Sequence, residues 1–294
     1  MARVAIVGVG AIGGVMAGLL EAAGRHEITL CTRRPLDGLT VKTPEGVVRV
    51  TAKNLTDPAL AEAVDWVFVA TKTYDAQDAA AWFPALCRNN APVAVFQNGV
   101  EHRERFAAYL NPELILPVVI DCPVERQPNG SVVQRGTARI QVETGRLGEE
   151  FAQLLTGSNA RVDLTDDFIT AAWRKLCINS VGALSALTMK PAGVLRDEAL
   201  GKIAIGMVAE CVAVGRAEGA RLEESMGQQV LEGYRAQPAD SINSMLADRI
   251  AGRPMEIDAR NGVIVCKGER HGIGTPLNRM AVALLQAVEG SPCP

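Results

Sequence analysis

The stretch Val4-Ala5-Ile6-Val7-Gly8-Val9-Gly10-Ala11-Ile12-Gly13, running on into Val15 to Ala23, decides how this chain of 294 residues folds. Four apolar residues in succession suit a parallel strand buried on both faces, and the spacing of Val15, Leu19, Leu20 and Ala23 suits the inner face of a helix. The stretch therefore reads as strand, glycine turn, helix. In such a unit Gly8 allows the tight turn, Gly10 lets the backbone approach a pyrophosphate, and Gly13 lets helix and strand pack closely. The backbone of Gly8, Gly10, Ala11, Ile12 and Gly13 then forms an anion cradle at the positive end of the helix dipole. Its place directly after a strand and at the opening of a helix predicts a dinucleotide site.

The next strand, Glu27 to Thr32, extends this reading. An acid at its end, about 20 residues beyond the glycines, would bond a ribose 2′-hydroxyl, whereas an arginine there suits a 2′-phosphate. The strand runs into Arg33-Arg34, and the nearest acid, Asp37, lies beyond Pro35. The expectation is NADP(H), with Arg33 or Arg34 on the phosphate. The alternative is a pair of solvated loop arginines.

Composition narrows the partners. With 48% hydrophobic residues and a net charge of -3 spread over both signs, the chain has ample core and no basic stripe. This argues for a small-molecule partner, no nucleic acid and no membrane surface. Seven cysteines, Cys31, Cys87, Cys122, Cys177, Cys211, Cys266 and Cys293, are widely separated and form no metal-ligand spacing. They read as reduced thiols of a cytoplasmic protein, with no metal. No apolar run approaches the roughly 18 residues of a membrane span, and strand one begins too early for a leader peptide.

Further along, Leu39 to Val50 reads as a hairpin turning at Pro44-Glu45-Gly46, and Trp66 to Ala70 as a core strand leading to Lys72. Lys72 stands at the carboxyl rim of a parallel sheet, where ligands lie; a phosphate or ribose contact competes with an ordinary surface lysine. A helix is expected over Asp75 to Leu86, then a strand Pro92 to Phe96 ending in Gln97-Asn98-Gly99. Asn98 occupies the same rim, although Asn-Gly is also a common turn. A helix over Glu101 to Leu110, a strand over Leu114 to Val119, a strand pair over Ser131 to Gln134 and Ala138 to Val142, a helix over Leu147 to Leu155 and a strand over Ala160 to Leu164 complete an α/β half. From Asp166 the pattern becomes helical throughout: Phe168 to Leu187, Glu198 to Glu218, Leu222 to Tyr234, Ser241 to Ile250, Ala259 to His271 and Pro276 to Val288. The expected domains are 1–165, α/β and dinucleotide-binding, and 166–290, all-helical, with the active site in the cleft between them and a loose tail from Gly290.

A nicotinamide enzyme needs a proton donor at the reacting oxygen. Of the histidines, His26 and His102 have no obvious route to a cleft, and His271 reads as a charge at a helix C-terminus. Lys175 and Asn179 are four apart on an otherwise apolar helix and so share a face. Desolvation of such an ammonium favours release of its proton, the tuning a general acid needs, although a snorkelling lysine is the plainer alternative. Asp258 reads as a helix N-cap, and Glu256 either supports that helix start or points into the cleft.

Taken in order, GxGAIGG, the arginine after strand two, Gln97-Asn98-Gly99, Trp173-x-Lys175-Leu176-x-x-Asn179, Ser244-Met245-Leu246, Glu256-Ile257-Asp258-x-x-Asn261-Gly262 and His271-Gly272-Ile273-x-Thr275-Pro276-x-Asn278 resemble the ketopantoate reductase (2-dehydropantoate 2-reductase) family over nearly the whole chain. The resemblance implies a Rossmann-type domain followed by an all-α domain, NADPH as cofactor, and reduction of a 2-oxo acid, with 2-dehydropantoate first among candidates and pantothenate synthesis as the setting. By position it implies that Lys175 protonates the carbonyl oxygen, that Glu256 orients the lysine or a substrate hydroxyl, and that Asn98 touches cofactor and substrate. Asn179 and Ser244 match substrate-binding positions, and Arg33 and Lys72 nucleotide contacts. The family's second helix amide is replaced here by Ala183, its small residues around Ile120 to Arg126 by bulkier ones, and a proline by Gly274. A reductase of another 2-oxo acid, or a non-catalytic NADP(H)-binding sensor or scaffold, are the competing readings. The apolar helices also suit association into a homodimer.

Overall fold

The computed structural model describes residues 1–289; the loose-tail expectation from Gly290 and Cys293 lie outside the described residues. The chain divides into two compact units, one of Met1–Gln97 and Glu101–Phe168, the other of Asn98–Val100 and the residues from Ile169 onward.

The first unit begins with β1 (Ala2–Val7) and α1 (Ala11–Ala23), which ends at Gly24 in the left-handed conformation. There follow β2 (His26–Cys31), β3 (Leu39–Thr43), β4 (Gly46–Val50), β5 (Ala52–Leu55) and β6 (Trp66–Val69). Next come α2 (Ala76–Ala80), α3 (Phe83–Leu86), β7 (Val93–Val95), α4 (His102–Phe106) and β8 (Ile115–Asp121). The unit closes with β9 (Val124–Arg126), β10 (Val132–Gln134), β11 (Arg139–Glu143), α5 (Arg146–Leu154) and β12 (Arg161–Thr165). The main sheet has the order β12-β11-β8-β7-β6-β1-β2-β5, parallel except where β11 meets β8. Its run β5-β2-β1-β6-β7-β8 is the Rossmann order, whose switch point lies between β1 and β6.

The apolar run of β1 is explained by coverage of both sheet faces. Val4, Ile6 and Phe68 belong to one core, while Ala5, Val7, Val67 and Val69 belong to the other. Phe68 also anchors an aromatic cluster, with ring centroids 5.3 Å from Phe96 and 5.5 Å from Phe151. Such contacts add about 0.5–1.5 kcal/mol each beyond the area they bury.

Several local expectations are corrected. The stretch Asp75 to Leu86 is not one helix, because Pro84 has no N–H to continue the ladder, and the chain breaks between α2 and α3. The helix expected to reach Leu110 is regular only to Phe106, whose carbonyl then receives the N–H of both Tyr109 and Leu110 ahead of Pro112. The strands near residues 131–142 do not pair with each other. β10 joins a small sheet, β4-β3-β10-β9, and β11 joins the main sheet. The cause is α1: a Cβ on Gly14 would lie 2.6 Å from Val132 Cγ2, and one on Gly18 would lie 3.0 Å from Val41 Cγ2. These glycines, one turn apart, let the small sheet lie directly on the helix backbone.

The second unit is built from α6 (Phe168–Thr188), α7 (Glu198–Ala217), α8 (Met226–Ala236), α9 (Ser244–Ile250), α10 (Val263–Arg270) and α11 (Pro276–Val288). Trp173, Leu176, Cys177 and Val181 of α6 and Met207, Val208 and Cys211 of α7 lie in its core. The start expected at Leu222 moves to Met226, since the Leu222 carbonyl is taken by Arg216 Nε. Likewise α9 starts at Ser244 rather than Ser241, because Asn243 Oδ1 caps the N–H groups of Met245 and Leu246. Asp258 is not an N-cap. The chain is already helical at Ile257, and Asp258–Gly262 form a π turn, with Gly262 N–H on the Ile257 carbonyl, ahead of α10. Single π turns of this kind recur at functional sites. Among the described residues no helix is long and apolar enough to cross a membrane.

Candidate functional site

Two groups of the expected residues come together, one in each unit. In the first unit the three glycines of the turn do separate work. Gly8 has φ +92°, and a Cβ there would lie 2.6 Å from Thr71 Cγ2, so the turn after β1 presses on the segment after β6. A Cβ on Gly13 would overlap the Gly8 carbonyl oxygen. At Gly10 the Cβ position is open, with no atom within 4 Å. The helix that follows has no side-chain cap and no acid in its first turn, and its first backbone bond runs from Gly14 N–H to the Gly10 carbonyl. The N–H groups of Ala11, Ile12 and Gly13 are thus left by the helix for an anion. An open cradle at Gly10 and uncapped amides beside it fit the pyrophosphate of a dinucleotide.

Around this cradle, Arg33 follows β2 with its side chain 79% exposed and 3.5 Å from Asp75. The loop that carries it is pinned by Asn54, whose side chain bonds the Leu30 carbonyl, Thr32 Oγ1 and the Leu36 N–H. Lys72 lies just past β6. Its backbone carbonyl and Thr71 Oγ1 both accept from the buried amide of Gln97, whose own oxygen accepts from Arg105 Nη1. His102 Nε2 bonds the Gln97 carbonyl at 3.0 Å, and burial, then the charge of Arg105, push its pKa down to about 3. His102 is thus a neutral brace. Gln97 itself was legible only as part of a Gln-Asn-Gly string; its role as a tether depends on Thr71, 26 residues earlier. Arg126, from β9, donates to the Val9 carbonyl inside the glycine turn, a contact with no signal in local sequence.

In the second unit Asn98 is the centre. Its Nδ2 donates to Glu256 Oε2 at 2.9 Å, and its Oδ1 accepts from Asn179 Nδ2 at 3.3 Å. Glu256 is 4% exposed, so a buried carboxylate and two half-buried amides, one of them on α6, form one polar chain. Lys175 lies one turn before Asn179 on the same face of α6, half-buried between the fully covered Trp173 and Leu176. Ser244 is exposed and accepts from Arg260 Nη2 at 2.6 Å. Ala183, in place of the family's second amide, is fully buried.

Other residues of the matching motifs have structural work instead. Asn261 Nδ2 donates to the Ser180 carbonyl and to Asn278 Oδ1, while Asn278 Nδ2 donates to the Met207 carbonyl and Glu210. Glu210 also accepts the N–H groups of Leu277 and Asn278 at the start of α11. These amides lock α6, α7, α11 and the π turn ahead of α10 together. His271 bonds Glu218 Oε1 at 2.6 Å beside the Lys267–Glu218 pair.

Comparison with known proteins gives the arrangement a family. Residues 4–146 match the family model described as ketopantoate reductase PanE/ApbA, and residues 167–289 its C-terminal counterpart. The chain is similar to the 2-dehydropantoate 2-reductase of Caulobacter vibrioides, 46% identical over 98% of this chain and 99% of that one. It is 38% identical to that of Mycobacterium tuberculosis over 98% of both. The crystal structure of a PanE/ApbA family ketopantoate reductase from Ralstonia eutropha superposes with a TM-score of 0.88 at 32% identity, covering 98% of each chain. The chain belongs to the ketopantoate reductase family.

Proposed function

We propose that this protein reduces 2-dehydropantoate to pantoate with NADPH. The observation that carries the reading is the Glu256–Asn98–Asn179 chain beside Lys175, a set of groups suited to hold and protonate a small polar carbonyl compound within one compact unit. In this reading residues 1–165 bind NADP(H), through the backbone of Gly8, Gly10, Ala11, Ile12 and Gly13 with Arg33 and Lys72, and residues 166–290 carry the substrate and catalytic groups. When bound, the nicotinamide supplies a hydride to the carbonyl carbon. Lys175 donates its Nζ proton to the carbonyl oxygen as negative charge develops there, and is reprotonated from solvent. Glu256 holds the Asn98 amide in one orientation, which leaves little freedom for a misplaced carbonyl. Asn179 and Ser244 bind the hydroxyl and carboxylate ends.

The small keto-acid partner follows from this chemistry. The reading extends to a cytoplasmic protein, in keeping with the unbridged thiols of Cys31, Cys87, Cys177, Cys211 and Cys266, and to a homodimer formed through the helical unit, which exposes Ile169, Ile178, Met280 and Leu284. Steady-state NADPH consumption with 2-dehydropantoate and a panel of other 2-oxo acids tests the activity. Fast turnover of another acid with none of 2-dehydropantoate would reject the named substrate. Light scattering tests the dimer.

A further inference from the structure

Arg260 is the unusual charge of the helical unit. It sits in the π turn between Glu256 and α10, is 3% exposed, and makes one side-chain hydrogen bond, Nη2 to Ser244 Oγ at 2.6 Å. Its Nε is buried with no partner, and no acidic side chain among the described residues lies within ion-pair distance of it. Tyr234, which feels the Arg260 charge, offers no counter-ion: burial raises its pKa to about 12, and its hydroxyl donates to the Ile178 carbonyl. A guanidinium in a protein interior is stable only when its charge is answered, so a buried one without an acid calls for an anion from outside the chain.

The geometry also locates the guanidinium against the helix that carries Lys175. A Cβ on Gly182 of α6 would lie 3.4 Å from Arg260 Nη1, so the guanidinium lies against α6 at Gly182. Lys175, Asn179 and Gly182 follow one face of the helix over about 10 Å, a span that a small keto acid and two side chains can bridge. Because Arg260 donates to Ser244 Oγ, the serine oxygen is used as an acceptor and its own proton is left to donate outward. Ser244 is exposed; Arg260 behind it is not.

We propose that Arg260 is a positioning and specificity residue: it orients the Ser244 hydroxyl as a donor and supplies the counter-charge for the carboxylate of the 2-oxo acid. The inference rests on the reductase reading and adds to it the group that selects an acid over its neutral analogues. The amide of the same keto compound, offered no carboxylate charge, is then a poor substrate because it leaves the guanidinium unanswered.

The test compares wild type with Arg260→Met, Arg260→Lys, Ser244→Ala and the double variant Arg260→Met/Ser244→Ala, using NADPH oxidation and calorimetric binding of 2-dehydropantoate to the NADP⁺ complex. Arg260→Met should raise KM and Kd for the acid by about 10–100-fold, the loss expected for a hydrogen-bonded charge. KM for NADPH should be unmoved, and the preference for the acid over its amide should collapse. Arg260→Lys should recover part of that preference, and the double variant should be little worse than the poorer single one, since the two groups act in series. If Arg260→Met folds poorly, the acid-over-amide ratio of Ser244→Ala carries the test. Unchanged discrimination in Arg260→Met and Ser244→Ala beside an active wild type would overturn the inference alone. A wild type that neither binds nor reduces 2-dehydropantoate would overturn the reductase reading instead; binding of other 2-oxo acids by wild type but equally by Arg260→Met would then reject the inference as well.

Discussion

The Asn98 amide bridges Glu256 and Asn179, donating to the first at 2.9 Å and accepting from the second at 3.3 Å. One short polar side chain thereby fixes the orientation of a carboxylate 158 residues away in sequence. Glu256→Gln removes the charge but keeps the shape. Loss of a hydrogen bond to a charged group is worth roughly 1.5–3 kcal/mol, so kcat/KM should fall by about 10- to 100-fold with NADPH affinity retained. Steady-state kinetics with a fluorescence titration of NADPH would check this, and a variant as active as wild type would remove Glu256 from the site.

Lys175→Ala should lower kcat by about 10²- to 10⁴-fold, the range typical of a lost general acid, with NADPH binding retained. Single-turnover oxidation of NADPH separates this from slower product release. Activity within a few-fold of wild type would mean that the proton comes from another group.

The glycine turn makes a paired prediction. A methyl group on Gly13 meets a backbone carbonyl, whereas one on Gly10 meets open space. Gly13→Ala should therefore destabilise the first unit by about 1–3 kcal/mol, as overpacking does. Gly10→Ala should leave the thermal midpoint nearly unchanged while weakening NADPH about tenfold or more, because the methyl occupies the anion cradle. Equal thermal midpoints for the two variants would contradict the division of labour between these glycines.

Arg33 and Asp75 make an exposed ion pair at 3.5 Å, worth at most about 1 kcal/mol. Arg33→Ala should leave folding intact and weaken NADPH far more than NADH. Comparing both dissociation constants in Arg33→Ala and Arg34→Ala assigns the phosphate contact; equal losses for the two cofactors would remove the basis for the NADP preference.

His102 predicts a pH dependence of stability. Its folded pKa of about 3 lies below the ordinary 6.5, so between these values the unfolded chain binds a proton that the folded chain refuses. Stability contributed by the neutral ring is full above pH 6.5 and is lost on acidification, at up to about 1.4 kcal/mol per pH unit. Urea midpoints measured from about pH 7 down to about pH 4 should fall less steeply in His102→Gln than in wild type. Parallel slopes would show that the ring is not the group titrating.

Local sequence was enough to read the β1-turn-α1 unit, an α/β first half and the helical second half, because buried strands and helix faces impose periods that survive without knowledge of neighbours, while the Rossmann-type sheet came from the family resemblance. It also marked Lys175, Asn179, Asn98 and Glu256 as residues of interest, through residue type and a resemblance spread along the chain. It could not show that Asn98 joins Asn179 to Glu256, or that Gln97 tethers Thr71 and Lys72, since such contacts span 25 to 158 residues. The small sheet escaped for the same reason: β10 follows the glycine face of α1 rather than its sequence neighbour β11. Arg260 is the clearest case. In the sequence it is one arginine among many on a helix, and only the packed bundle, by burying its charge behind Ser244 without an acid, makes it a group that needs a partner. Period and turn chemistry act within a few residues and so are written in order along the chain; burial and charge compensation depend on what the fold brings alongside, and exist only once it has formed.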